Sequence, residues 1–321
     1  MMPQAPPLNW WQRPAFRLVL RILAAARRLP DKAVYRATYA IGRSLYLVMP
    51  GRREPLRSNL RRTCRWLVAQ EMASPRVTRA ASDNRALEAM VRAAFGHWLL
   101  GYVEAALGPK YDSSELRARV LLADAAATAE ALGKRPAGEA GVIHVALHFG
   151  SLDLSAMYGA RLSELPFTGP MEIVEDPLAR AYFDHVRGEL GATIVPIKGA
   201  AEHLLAAIER GEVAGMVADR NVVGRGSPVD LFGAPTRLPI GPAVLSVQTG
   251  ATIYLQAIER SAPGEWLGHT VIIEHDPEAG RREATRSILQ QEARAIERIV
   301  ARAPEQWTTL FFPVWKDEEG T

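Results

Sequence analysis

From residue 141 onward, short continuous apolar runs alternate with longer segments whose apolar positions recur every three or four residues. The runs fit strands buried on both faces, and the segments fit amphipathic helices. Strands are predicted near 141–148, 170–175, 192–197, 213–219, 251–259 and 269–275, with helices near 152–163, 177–190, 200–211, 241–249 and 281–302. This alternation argues for an α/β fold, a mainly parallel central sheet flanked by helices. The first 135 residues read as helical instead: segments 14–29, 31–49, 54–72, 75–108 and 113–131 carry helical periodicity, broken by Pro50-Gly51 and closed by Gly133. The loop GKRPAGEAG, residues 133–141, separates a helical N-terminal region, 1–135, from an α/β body, 136–321, the two expected to form one integrated domain.

Charge changes the picture of the N-terminal region. Residues 1–80 hold sixteen Lys and Arg against Asp31, Glu54 and Glu71, a balance of +13, which leaves −9 for the rest of a chain whose formal net charge is +4. A basic segment on an acidic body suits an anionic surface. In 14–29, Phe16, Val19, Leu20 and Leu23 make one stripe, while Arg13, Arg17, Arg21 and Arg28 recur on another side, and Trp10 and Trp11 stand just before. Such a helix can lie in a leaflet surface with its aromatic rings at the membrane–water boundary, or pack on the core with solvated arginines. Arg52, Arg53, Arg57, Arg61, Arg62 and Arg65 crowd the third helical segment. They form a solvated face or a phosphate-binding one. In 75–108, Phe95, Trp98, Leu99 and Tyr102 form an apolar stripe, and His97 and Glu104, lying off it, are expected at the surface. The single cysteine, Cys64, excludes an internal disulfide framework, and no window approaches the roughly 18 apolar residues of a spanning helix. Without a signal-peptide pattern at its start, the chain is expected to be cytoplasmic, soluble or peripheral.

The chemistry concentrates in GVIHVALHFGSLD, residues 141–153. An apolar strand ends in His148, a glycine-containing turn follows, and Asp153 falls in the first turn of the next helix. Residues at a strand's carboxyl edge face the ligand crevice of α/β sheets. An imidazole there can take a proton from a hydroxyl at neutral pH, and a carboxylate within reach fixes its tautomer. The same residues also fit a strand-end histidine and an aspartate that caps free helix amides. His144, four positions before His148 and so on the same strand face, reads as a packing residue or one that supports His148 from behind. Asp219 and Arg220 close another apolar strand, as an edge site or a local ion pair. No GxSxG, HExxH, P-loop or complete GxGxxG is present, so Ser151 lacks the elbow of a serine hydrolase.

HFGSLD resembles the His-X4-Asp/Glu motif of glycerolipid and glycolipid acyltransferases. Three further segments are similar to the bacterial lipid A biosynthesis (lauroyl/myristoyl) acyltransferase family, which includes phosphatidylinositol mannoside acyltransferases. They are PGRREPLRSNLRR with Asn59-Leu60, VADRNVVGRGSPVDLFGAPTRLPIGPAVLSVQTGA, and PEQWTTLFFPVW. The resemblance runs in order over most of the chain. It implies a glycerolipid acyltransferase-like fold and transfer of a fatty-acyl group from a thioester, acyl-CoA or acyl-ACP, to a hydroxyl of a membrane glycolipid or phospholipid. No cofactor, metal or nucleic acid is implied, and the expected place is the cytoplasmic face of the cell membrane, peripherally bound.

In that setting His148 is the general base, Asp153 its orienting acid and Asp219 a secondary acid of the site. Glu175, in preference to Glu172, and Arg187 occupy places where the family shows an acid and an arginine. Ser151, Arg220, Phe232, Gly233 and Arg237 are expected to line substrate, although Gly233 fits a plain structural turn equally well. Backbone amides at Ser151 and Leu152 are candidates for the oxyanion. Trp10, Trp11, Arg17 and Arg21 are the expected membrane contacts. Ser151 stands where many members have Asn, Asp153 where lipid A enzymes often have Glu, and the N-terminal spanning segment of many lipid A enzymes is missing. Asp153, Ala218-Asp219-Arg220 and the uninserted PEQW region resemble the phosphatidylinositol mannoside branch more closely. A glycerol-phosphate or lysophosphatidate acyltransferase would use the same chemistry but predicts a downstream Glu-Gly-Thr-Arg type motif that the sequence lacks. A non-catalytic basic protein binding membranes or nucleic acid is the alternative from another class.

Overall fold

The computed structural model describes residues 9–315 apart from 11, 137, 164, 172–175, 188–191, 222, 223, 225 and 275. Helices α1 (Gln12–Ala26), α2 (Asp31–Val48), α3 (Pro50–Ala69), α4 (Pro75–Ser82) and α5 (Asn84–Leu107) come first. The predicted 113–131 helix is divided: α6 (Ser113–Arg119) and α7 (Ala125–Leu132) flank a short strand, β1 (Val120–Leu122). A capping box from Asp112 and Glu115 starts α6, and Asp124 caps α7, so two start signals lie within one apparent helix. The remainder alternates as β2 (Val142–Gly150), α8 (Leu152–Leu162), β3 (Phe167–Met171), α9 (Pro177–Arg187), β4 (Thr193–Pro196), α10 (Ala200–Glu209) and β5 (Val213–Val217). It continues through β6 (Gly226–Leu231), β7 (Ala234–Pro239), α11 (Gly241–Thr249), β8 (Ile253–Ala262), β9 (Glu265–Ile273) and α12 (Arg281–Val300).

Seven strands form one sheet in the order β1-β9-β8-β2-β5-β3-β4, parallel except for the β8–β9 pair. β2 lies between β8 and β5, in register from Val142 opposite Val213 to Ala146 opposite Val217. Both of its faces are covered, which is why its sequence is a nearly unbroken apolar run. Ile143, Val145, Leu147 and Phe149 enter the main core with Leu60 of α3, Phe95 of α5 and Ile296 of α12. Leu154 and Met157 of α8 join Val34, Leu107 and Trp266 in a second core.

The β6–β7 hairpin was not predicted from periodicity. Its two-residue turn, Phe232-Gly233, has φ of 50° and 69°, the left-handed pair of a tight hairpin turn. Phenylalanine is costly there. It is held because its ring is buried against Trp66, Trp307 and Trp315 and its amide donates to Glu297.

Glu104 departs from its expected surface place. It is buried, accepting from the Arg260 guanidinium and from Trp266 Nε1 at 3.1 Å. The long α5 turns that residue inward against β8 and β9, where burial demands a cation. Among the described residues, no helix is long and apolar enough to cross a membrane.

Glu292 on α12 is 1% exposed, and neither carboxylate oxygen meets a donor among the described residues. Burial raises its pKa from 4.5 to about 8. Between those values the folded protein holds a proton that the unfolded chain has released, so this residue's contribution to stability falls as pH rises and is gone above about 8. The slope is at most about 1.4 kcal/mol per pH unit. Urea midpoints measured near pH 5 and near pH 8 will therefore fall further in the natural protein than in Glu292→Gln.

Candidate active site

β2 carries His148 to the sheet's carboxyl edge, and β5, its parallel neighbour, carries Asp219 to the same edge just past its end. His148 Nδ1 lies 2.7 Å from Asp219 Oδ1, and the His148 amide donates to Oδ2 of the same carboxylate at 2.9 Å. The imidazole side chain is 28% exposed, whereas the Asp219 side chain is fully buried. Two more donors converge on Oδ2, Trp307 Nε1 at 2.7 Å and the Thr309 hydroxyl at 2.9 Å. Burial pushes the Asp219 pKa up, but the adjacent His148 and these hydrogen bonds outweigh it and hold the carboxyl below its usual range. The ionised carboxylate accepts from Nδ1–H, and Nε2 then carries the lone pair.

The expectation that Asp153 orients His148 is corrected: the carboxylate bonded to the imidazole is that of Asp219. Asp153 sits in the first turn of α8 and lines an apolar slot. Neighbouring parallel strands bring Asp219 to His148. Gly150 makes the turn into α8 possible, because its φ is +57° and a Cβ there would lie 1.9 Å from the Ile258 carbonyl oxygen on β8. The Ser151 amide donates to that carbonyl at 2.8 Å, so it is not open to an oxyanion as expected. Ser151 itself is 1% exposed, its hydroxyl buried and unpaired among the described residues, and it lines neither of the two nearby cavities.

Two cavities lie near the pair: Asp219 lines the first, and Ala146 and Leu152, chain neighbours of His148, line the second. The first, about 490 Å³, is lined by Asp219, Arg220, Asn221, Arg237, Thr309 and the apolar residues of the β6–β7 hairpin and Pro313-Val314. Arg220 stacks its guanidinium 4.3 Å from the Phe312 ring centroid. The second, about 120 Å³, is an apolar slot between α8 and the sheet, lined by Ala146, Leu152, Ala156, Phe167, Met171 and Met216 among others. Arg220 and Arg237 both line the first cavity, as does Asp219. Phe232 and Gly233 line neither cavity, since one is buried and the other closes the hairpin. Glu172, Glu175 and Trp11 lie outside the described residues, as does the Arg187 side chain. Trp10 is 85% exposed, and Arg17 and Arg21 are exposed on α1.

The family model for bacterial lipid A biosynthesis acyltransferases matches residues 4–317. The chain belongs to that family. Within it, similarity extends to phosphatidylinositol mannoside acyltransferases. One, from Mycobacterium tuberculosis (strain CDC 1551 / Oshkosh), is 31% identical over 110 residues, which is 33% of this chain and 34% of the relative. Another, from Mycolicibacterium smegmatis (strain ATCC 700084 / mc(2)155), is 27% identical over 172 residues, 52% of this chain and 54% of the relative. The matches span about a third to a half of these relatives' lengths.

Against this family background, the residues that sequence reasoning missed all lie in PEQWTTLFFPVW. Trp307 and Thr309 hold the acid, the Thr308 hydroxyl donates to the His148 carbonyl at 3.0 Å, and Trp307 bridges to Phe149 through the backbone. Gln306 exchanges two hydrogen bonds with the Arg260 backbone. Asn59 fastens the far side, its Nδ2 donating to the carbonyls of Leu310 and Phe312 at 2.9 Å. Two consecutive threonines after a tryptophan were the available signal, being polar residues inside an otherwise apolar segment. Thr309→Val will remove a donor from a buried charge and lower stability by roughly 1.5–3 kcal/mol in urea unfolding at neutral pH. Thr309→Ser will keep most of it.

Proposed function

We propose that this protein moves a fatty-acyl group from a thioester donor to a hydroxyl of a membrane glycolipid or phospholipid, with His148 as general base. The observation that carries the reading is the 2.7 Å contact between His148 Nδ1 and the buried Asp219 carboxylate, on a ring that remains 28% exposed. Asp219 holds the tautomer in which Nε2 accepts the hydroxyl proton. The alkoxide oxygen bonds to the thioester carbonyl carbon, and the carbon–sulfur bond then breaks as the tetrahedral intermediate collapses. The imidazolium returns its proton to the departing thiolate. Family membership supports the reaction class, and the phosphatidylinositol mannoside acyltransferases among the relatives support a glycolipid acceptor.

The apolar slot beside Leu152 and Met216 suits the first part of an aliphatic chain, while the polar cleft with Arg220 and Arg237 suits an anionic headgroup or donor. His148→Ala will lower transfer from an acyl thioester to membrane lipid by about 10²- to 10⁴-fold. Asp219→Asn, which keeps shape but loses charge and tautomer control, will cost more than Asp153→Asn in the same radiolabel assay. An equal or greater loss in Asp153→Asn would overturn Asp219 as the partner.

Peripheral attachment to the membrane rests on the outer faces of the first two helices. Leu18 and Ile22 of α1 are each 58% exposed, and Ile41, Leu47 and Val48 of α2 are 59%, 64% and 71% exposed, beside Arg17, Arg21, Arg36 and Arg43. The apolar stripe predicted for α1 turns the other way in part, since Leu23 packs on Ala105 and Ala106 and leaves Leu18, Val19 and Ile22 outside. Large apolar side chains interleaved with arginines are the pattern of helices that enter an anionic leaflet. The combined substitution Leu18→Glu, Ile22→Glu and Ile41→Glu will abolish co-sedimentation with anionic vesicles while leaving the far-UV CD spectrum unchanged.

A further inference from the structure

His144 stands four residues before His148 on β2 and lines the slot under α8. It is 3% exposed, its ring T-shaped against Phe167 and Tyr254 at centroid distances of 6.2 and 6.1 Å. Nε2 lies 2.9 Å from the Ala131 carbonyl oxygen. Burial lowers the pKa of the ring from 6.5 to about 4, so the imidazole is neutral at physiological pH. A carbonyl can only accept, which places the one ring proton on Nε2. Nδ1 is therefore a lone-pair acceptor, and it meets no donor among the described residues. Gly159 of α8, which also lines the slot, leaves that nitrogen uncovered: a Cβ there would lie 3.7 Å from Nδ1. Ser155, one helical turn before Gly159, lines the same slot, most of whose other walls are apolar.

Given the acyl-transfer reading above, on which this inference rests, we propose that the slot under α8 selects fatty chains that carry a hydroxyl group partway along their length, which donates to Nδ1 of His144. A plain aliphatic chain lying there would cover the lone pair and leave it without a donor. A hydroxyl at that point removes the mismatch, and Ser155 can donate to its oxygen in turn. A few fixed polar groups in an apolar site set orientation and specificity, and a site built to bond a hydroxyl discriminates against the analogue that lacks it. Position says where on the chain the hydroxyl belongs. Four residues of extended strand separate the two histidines by roughly 13 Å. A chain whose thioester carbon lies at His148 thus meets Nδ1 near its middle, not beside its carbonyl. At about 120 Å³ the slot is narrow, so a chain that reaches this depth lies against the ring.

The test is displacement of a fluorescent fatty acid from the full-length protein by stearic acid, by stearic acids hydroxylated at successive mid-chain positions, and by their methyl-branched counterparts. The natural chain is compared with His144→Phe and Gly159→Ala. The second substitution keeps the imidazole and sets a methyl group over Nδ1 at ordinary contact distance, in a helix that favours alanine over glycine. It decides the matter alone if His144→Phe does not fold. At least one hydroxystearic acid is expected to bind the natural protein about tenfold or more tighter than stearic acid, and the gain to fall to about twofold or less in both variants. Equal binding of all the acids by the natural protein would overturn the proposal, as would a gain retained in either variant. A gain shared by the methyl-branched acids would overturn it too, since the width of the slot and not the nitrogen would then select. If the protein moves stearoyl and hydroxystearoyl groups from their thioesters to membrane lipid equally well and binds both acids alike, the slot assignment fails and the transfer reading stands. If the hydroxyl preference depends on His144 yet neither group reaches a lipid, the transfer reading fails and the slot assignment stands.

Discussion

The structure around the site depends on one buried charge. Asp219 is out of reach of solvent, and an uncompensated carboxylate there would be expelled or protonated. Four donors prevent this: the His148 amide and ring, the Trp307 indole and the Thr309 hydroxyl. They come from two places in the chain, β2 and the C-terminal segment, while the acid itself stands just past the end of β5. Satisfying one carboxylate therefore locks two central strands and the chain's last described turn into a single arrangement. The imidazole beside this anion is thereby oriented, and in the proposed mechanism little reorganisation would be needed as a positive charge develops on it.

Two chemically different concavities lie near this lock, an apolar slot under α8 and a cleft edged by arginines and the β6–β7 hairpin. The proposed reaction, which joins an aliphatic chain to a polar lipid, would use both kinds of wall. The tight Phe232-Gly233 turn supports the lock from a distance. Its buried ring packs on Trp307, the residue whose indole holds the acid.

The helical N-terminal residues support the same centre. Asn59 grips the carbonyls on either side of Phe311, and Glu104 pairs with Arg260, whose backbone is held by Gln306. β1, drawn from residues before the 133–141 loop, adds an edge strand to the sheet beside β9. Such buried pairs contribute less to net stability than to uniqueness, since breaking either partner leaves a charge without compensation. The outer faces of α1 and α2 remain apolar and basic.

Most of the α/β order was legible in the chain itself. Strands and helices after residue 141 declared themselves by period and by glycine and proline punctuation, and the position of His148 at a strand end followed directly. The family resemblance was legible because several separated motifs occur in the right order. Three things were not legible. The β6–β7 hairpin lacks an alternating pattern and turns on Phe-Gly, so no local signal marks it. The burial of Glu104 depends on Arg260, 156 residues away. The choice of acid for His148 was the largest of these. Asp153 is near in sequence, but hydrogen bonds depend on distance in space, and parallel strand pairing places a side chain 71 residues away at 2.7 Å. Local periodicity thus determined most of the elements after residue 141 and where His148 stands, whereas sheet order and long-range burial decided which carboxylate it meets and which residues keep that carboxylate ionised.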